Sequence, residues 1–198
     1  MRALGAVVVV VLDAAMVNVA LPAIARSLRV APEASVRVVT AYQLAVVVAL
    51  LPCAALGERF GYRRVFTIGI ALFVCASVAC ACAPSLSFLV VSRFIQGLGG
   101  AAVMALCVAL LRFVVSERQL GAALGWNTLA VAVASAAGPT VGALVVSRAS
   151  FRRLFAIDLA LGVMALLATR ALPLVDGNGS RAASTLIPFD LFSVWLPC

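Results

Sequence analysis

The chain has 198 residues, 65% hydrophobic and 11% charged, with a formal charge of +8 and a mean hydropathy of +1.20. An ordinary globular domain is about half apolar and roughly a quarter charged, so this chain lacks the polar side chains to cover a water-facing surface and a bilayer is its natural solvent. All fifteen basic residues are Arg and there is no His or Lys, which removes Ser-His-Asp and Cys-His nucleophiles, HExxH zinc sites, Schiff-base lysines and the phosphate-loop lysine together.

A spanning helix needs about 20 apolar residues. Six stretches satisfy this: Ala3 to Ile24, Val36 to Leu56, Val65 to Ala83, Leu86 to Leu111, Leu120 to Val146 and Leu154 to Leu172. The breaks carry Arg, Glu, Pro or Gly: Arg26 to Pro32, Gly57 to Arg64, Pro84-Ser85, Arg112 to Gln119 and Ser147 to Arg153. The expected class is an all-α membrane protein with a six-helix bundle over 1–172, a polar linker over 173–188 and the start of a seventh helix over 189–198. Arg2 ahead of an apolar run resembles a signal peptide, but the apolar character continues past Asp13 to Ile24, too far for a cleaved core. The arginines sit singly or in short clusters between spans, as membrane-flanking anchors do, and no continuous basic face for nucleic acid emerges. With the N-terminus inside, eight Arg fall on inner segments and six on outer ones, a weak preference for that orientation. Five of the six Cys lie inside apolar stretches, and Cys80-x-Cys82 lacks a second pair or a His, so they read as small packing residues and not as a metal site.

Residues 63–74 (RRVFTIGIALFV) and 152–163 (RRLFAIDLALGV) are identical at seven of twelve positions. Three spans separate the copies, so they point opposite ways across the membrane, the expectation for a 3+3 inverted repeat.

Charge inside a span costs about 2.5–3.5 kcal/mol on insertion scales, which singles out Asp13, Arg93 and Asp158. Asp13 shares a helix face with Val17 and Ala20, and Asn18 follows it in the run LDAAMVNVALP. Arg93 shares its face with Gln96, Gly97, Gly100 and Met104, which allows another helix or a substrate to come close. A proton or substrate site built on Asp13, Arg93, Gln96 and Asn18 is one reading, and a structural ion pair is the other. Without His, any proton coupling must use a carboxylate. Asp158 lies near Arg152 and Arg153 in sequence and reads as a local salt bridge. In the fifth span, Gly121, Gly125, Thr128, Ala132, Ser135, Pro139 and Gly142 form a small-residue stripe suited to close packing. Gly138-Pro139 permits a bend there.

With these motifs in place, the chain resembles the N-terminal half of a major facilitator superfamily transporter, in the fourteen-helix drug:proton antiporter branch. The resemblance rests on LDAAMVNVALP at Leu12 to Pro22 with Ala15 for the usual Thr, and on LGERFGYRR at Leu56 to Arg64 with Glu58 for the usual Asp. It rests also on SRFIQGLGGAA at Ser92 to Ala102, and on Gly125, Gly138, Pro139 and Gly142 of the antiporter motif, with Ala134 and Ala143 at two of its Gly positions. FRRLFAIDLALG at Phe151 to Gly162 is similar to the branch's sixth helix, with Asp158 for the usual Asn and Ala160 for the usual Pro. The resemblance implies proton-coupled efflux of small amphipathic, drug-like compounds, driven by the proton gradient without a cofactor, from a multi-pass plasma-membrane protein with a cytoplasmic N-terminus. It also implies a cytoplasmic latch at Gly57, Glu58, Arg59, Gly61, Arg63 and Arg64. Because the substrate path of this family lies between two six-helix bundles, the expectation is a fragment with little transport alone. The alternative is a non-transporting or partner-dependent half that pairs with a second transporter half.

Overall fold

The computed structural model describes residues 2–114, 117–148 and 152–170; the linker and seventh-helix expectations lie outside them. Six helices run in chain order: α1 Arg2–Leu28, α2 Pro32–Phe60, α3 Tyr62–Ala81, α4 Leu86–Val114, α5 Glu117–Arg148 and α6 Arg152–Arg170. In hydrocarbon every backbone N–H and C=O must be satisfied within the chain, which leaves the helix as the form these apolar runs can take.

Among the described residues, five helices, α1 to α5, are long and apolar enough to cross a membrane. The sixth, Arg152–Arg170, is present as expected, with arginines at both of its ends. At about 1.5 Å per residue its 19 residues still approach the thickness of a hydrocarbon core, about 30 Å.

The bundle is built on three close contacts, α2 on α4, α3 on α4 and α1 on α5, with α6 lying against α3 and α1. Glycine permits the α3–α4 approach. A Cβ on Gly99 would stand 2.7 Å from the Gly69 carbonyl oxygen and the Phe73 nitrogen, so neither helix backbone could stay where it is. Two apolar cores result. One gathers Val7, Val10, Phe66, Ile70, Phe73, Val103 and Leu106, the other Met16, Val17, Ala20, Ile24, Leu89 and Phe155. Large apolar side chains also face outward, among them Val47 and Leu51 on α2 and Trp126, Leu129 and Val133 on α5. Lipid solvates such a surface, whereas water would not.

The segment expected as a loop, Gly57 to Arg64, is almost entirely helical. Gly57 to Phe60 form the last turn of α2, Tyr62 opens α3, and only Gly61 (φ +93°) departs from helix. The Gly61 N–H donates to Gly57 O at 2.9 Å, and Val65 N–H donates to Gly61 O at 3.2 Å, so one left-handed residue turns the chain between two antiparallel helices.

The fifth-helix stripe does not pack as its spacing suggests. Gly121, Gly125, Thr128, Ala132, Ser135 and Pro139 are exposed, and nothing lies within 4 Å of where a Cβ on Gly121 or Gly125 would sit. The buried face is the neighbouring one: Ala134, Gly138 and Gly142. There a Cβ on Gly138 would collide with Ala15, and one on Gly142 would lie 3.0 Å from Met16 Cα and O. The helix continues through Pro139 without a break.

Candidate functional site

Three charged side chains among the described residues are buried: Asp13 at 0% exposure, Arg93 at 1% and Asp158 at 0%. They belong to three helices that the bundle brings to one place. Arg93 on α4 directs Nη1 at Asp13 on α1, 80 residues earlier, and donates to both carboxylate oxygens at 2.8 Å. The same Nη1 donates to Gln96 Oε1 at 2.7 Å, three residues on along α4. Gln96 Nε2 then donates to Ser77 Oγ on α3 at 2.9 Å, and Ser77 donates to Phe73 O at 2.9 Å. Cys80 Sγ contacts Gln96 Oε1 at 3.5 Å. The polar chain thus runs from α1 through α4 into α3 and ends on backbone, which satisfies groups that lipid or core methyls could not.

Aromatic faces close the guanidinium in. Its carbon lies 4.5 Å from the centre of the Tyr42 ring on α2 and 5.6 Å from that of Phe155 on α6. Desolvated cation–π contacts of this kind add about 2 kcal/mol. Glycines make the approach possible. A Cβ on Gly97 would fall 2.6 Å from Tyr42 O, and one on Gly100 would fall 2.9 Å from Tyr42 Oη. The small residues on the Arg93 face therefore admit α2.

Asp13, Arg93 and Gln96 meet as the sequence suggested. Asn18 does not join them: it is exposed, and its Nδ2 donates to Ala14 O at 3.1 Å in its own helix. Asp13, Val17 and Ala20 do share a face, and all three are fully buried.

Asp158 corrects the sequence reading. It is fully buried and faces Asp13 and Arg93 in the bundle interior, while the side chains of Arg152 and Arg153 lie outside those described. On a helix, Arg152 and Arg153 lie roughly 120–140° around from Asp158, whereas Phe155, three residues back, shares its face. Neither Asp158 oxygen receives a hydrogen bond, and Arg93 Nε has no acceptor. The further members Tyr42, Ser77, Cys80 and Phe155 were not singled out from sequence. A hydroxyl and a phenol inside otherwise apolar spans, Ser77 and Tyr42, were the available signal.

At the α2–α3 turn, Glu58 and Arg59 are exposed, and the Arg59 guanidinium lies 5.5 Å from the Phe60 ring centre. A Cβ on Gly57 would collide with Leu106 of α4, so this glycine seats the end of α2 on α4. In the antiporter motif, Gly138 and Gly142 bring α5 onto Ala15 and Met16, beside Asp13, while Gly125 and Pro139 face outward.

Comparison with known proteins agrees with this architecture. Residues 3–194 match the family described as Major Facilitator Superfamily. The chain is 48% identical over 182 residues to the uncharacterized transporter YebQ of Escherichia coli (strain K12), covering 91% of this chain and 39% of that one. It is 38% identical to the multidrug resistance protein Stp of Mycobacterium tuberculosis, covering 80% of this chain and 30% of the relative. It is 35% identical to the tetracenomycin C resistance and export protein of Streptomyces glaucescens, covering 96% and 35%. The chain therefore spans between 30% and 39% of the length of these relatives. Among solved structures, the proton:xylose symporter XylE superposes with a TM-score of 0.75 at 14% identity, over 87% of this chain and 43% of that one, a likeness of fold.

Proposed function

The chain belongs to the major facilitator superfamily and is a multi-pass membrane protein, and we propose that it forms the N-terminal bundle of a proton-driven exporter of small amphipathic compounds. The observation that carries this reading is the buried Asp13–Arg93 pair at 2.8 Å between α1 and α4. A buried ion pair does little for stability that well-packed apolar side chains would not do as well or better. Two opposite charges that can be separated by adding one proton, however, provide a reversible switch in a medium where charge is costly. Protonation of Asp13 cancels its charge and releases the Arg93 guanidinium, so that the packing of α1 against α4 depends on proton occupancy. The proton gradient supplies the driving force, and no cofactor enters.

Relatives named for multidrug resistance, drug efflux and tetracenomycin C export support a drug-like cargo. In this proposal a second six-helix half completes the substrate path, and the outward stripe of α5 supplies a smooth face for it, with Gly138-Pro139 as the place where α5 bends to close. Gly57, Glu58, Arg59, Gly61, Arg63 and Arg64 lie on the cytoplasmic side as a latch, with the N-terminus inside and the protein in the plasma membrane. Neighbour relations support the 3+3 repeat: α2 lies on α4 as α1 lies on α5, and α3 lies on α4 as α6 lies on α1.

The test is dye transport in inverted vesicles that contain this chain together with the C-terminal half of the E. coli relative YebQ. An imposed proton gradient should drive accumulation of a cationic dye, and Asp13→Asn should abolish it while Asp13→Glu keeps part. Undiminished transport by Asp13→Asn sinks the assignment.

A further inference from the structure

The Asp13–Arg93 pair does not account for the whole charge of the site. A third ionisable group, Asp158, stands in the same cluster at 0% exposure with no donor to either oxygen. Among the described side chains, its surroundings contain one cation. Asp13 faces it from α1, Arg93 from α4, Tyr42 from α2 and Cys80 from α3. The described side chains of α5 include no titratable group, and those of α6 include none other than Asp158 itself. Tyr42 and Cys80 are neutral donors already directed elsewhere, Tyr42 Oη toward Val10 O and Cys80 Sγ toward Gln96 Oε1, both at 3.5 Å. With both carboxyls ionised, the cluster carries two negative charges and one positive one in a membrane interior. Like carboxylates that face one another in such a place cannot both stay charged.

We propose that Asp158 is a second proton-binding carboxyl of this site and shares a single proton with Asp13. With that proton on Asp158, Arg93 and Asp13 neutralise each other and the whole cluster is neutral, the cheapest state in lipid. The proton then occupies the oxygen pair to which no protein donor is directed. Its transfer from an Asp158 oxygen to an Asp13 oxygen moves the negative charge to Asp158, and the unsatisfied Arg93 Nε is the donor left to follow it. Both states hold the same atoms and the same net charge, so the exchange is an internal relay between α6 and α1. Phe155, one turn before Asp158 on its own face, keeps that face of α6 against the guanidinium.

The inference deepens the proposed proton coupling but is tested apart from transport, by infrared spectroscopy of the full chain in a maltoside detergent, which has no ester carbonyl to overlap the band. Exposed carboxyls are ionised at neutral pH, so a carbonyl stretch from a protonated carboxyl isolates the buried one. Wild type should show one such band at pH 7. Asp158→Asn should lose it, because Asp13 alone beside Arg93 ionises. Asp13→Asn should lose it as well, because Asp158 then becomes the partner of Arg93. Asp158→Glu, which keeps the carboxyl if the Asn variant fails to fold, should keep the band at a shifted frequency.

Absence of the band in wild type overturns the proposal. So does a band that survives Asp158→Asn or does not move in Asp158→Glu. A band that survives Asp13→Asn overturns the sharing. A dead exporter with the predicted bands would refute the transport reading and leave this one standing.

Discussion

Removal of Arg93 should cost more than removal of its partner Asp13, although one salt bridge joins them. Opposite unit charges about 4 Å apart at an effective dielectric constant of 20 attract by about 4 kcal/mol, and orphaning one member of a buried pair costs about 3–5 kcal/mol. Arg93→Met keeps an unbranched stem but removes the guanidinium that faces the Tyr42 and Phe155 rings, and strips donors from both oxygens of Asp13 and from Gln96 Oε1. Two carboxyls then face each other with no cation. The full penalty applies, and for a chain of this size it lowers Tm by about 6–20 °C. Asp13→Asn is milder: the amide oxygen still accepts from Nη1, and Asp158 remains to balance the guanidinium. We expect a loss of about 1–2 kcal/mol, or roughly 2–8 °C. The assay is thermal unfolding in detergent, followed with a thiol-reactive fluorophore. Cys53, Cys75, Cys82 and Cys198 are replaced by Ser so that the buried Cys80 and Cys107 report opening. Equal shifts for the two variants, or a larger one for Asp13→Asn, would refute the claim that Asp158 substitutes for Asp13.

Two glycines should respond in opposite directions to Ala. Gly99→Ala drives a Cβ into the backbone of α3 and should destabilise by about 1–3 kcal/mol, whereas Gly125→Ala meets open space and should stabilise by about 0.5–1 kcal/mol through helix propensity. Thermal unfolding checks both, and a stabilised Gly99→Ala would contradict the α3–α4 contact. Cys82, exposed at the end of α3, should react with N-ethylmaleimide in the folded protein, while Cys80 and Cys107 stay protected until the bundle opens. Mass spectrometry of the labelled protein separates the three.

The helices were legible because lipid imposes one rule, apolar length, and the Arg- and Pro-bearing breaks fall close to the observed ends. Asp13, Arg93 and Gln96 were legible for the converse reason: a polar side chain in a span must be held by something. The inward face of α5 was not legible. In water, polarity separates core from surface, but lipid tails are as apolar as a protein core, so Gly125 and Gly138 look alike in sequence while one faces outward and the other touches Ala15. Asp158 was misread for a different reason. Closeness to Arg152 and Arg153 along the chain points to a partner at the end of the span, whereas roughly 100° of rotation per residue puts Phe155 on the face of Asp158, and Phe155 lies against the Arg93 guanidinium.

The two similar segments at residues 63–74 and 152–163 place Gly69 and Asp158 at matching positions, and the bundle uses them in opposite ways. On α3, the missing side chain at Gly69 lets α4 approach until Gly99 meets its backbone, a contact with no room for a proton or for water. On α6, the same position carries a carboxyl into the cluster with Asp13 of α1. Arg93 and Gly99 are six residues apart on α4, so one helix belongs both to this close backbone contact and to the charged centre. A change of proton occupancy then finds α3 and α4 locked as a pair by glycine, while α1 and α6 meet through groups whose attraction depends on where one proton sits. On the proposed proton coupling, movement that follows protonation would fall to α1 and α6, against an α3–α4 frame held by glycine.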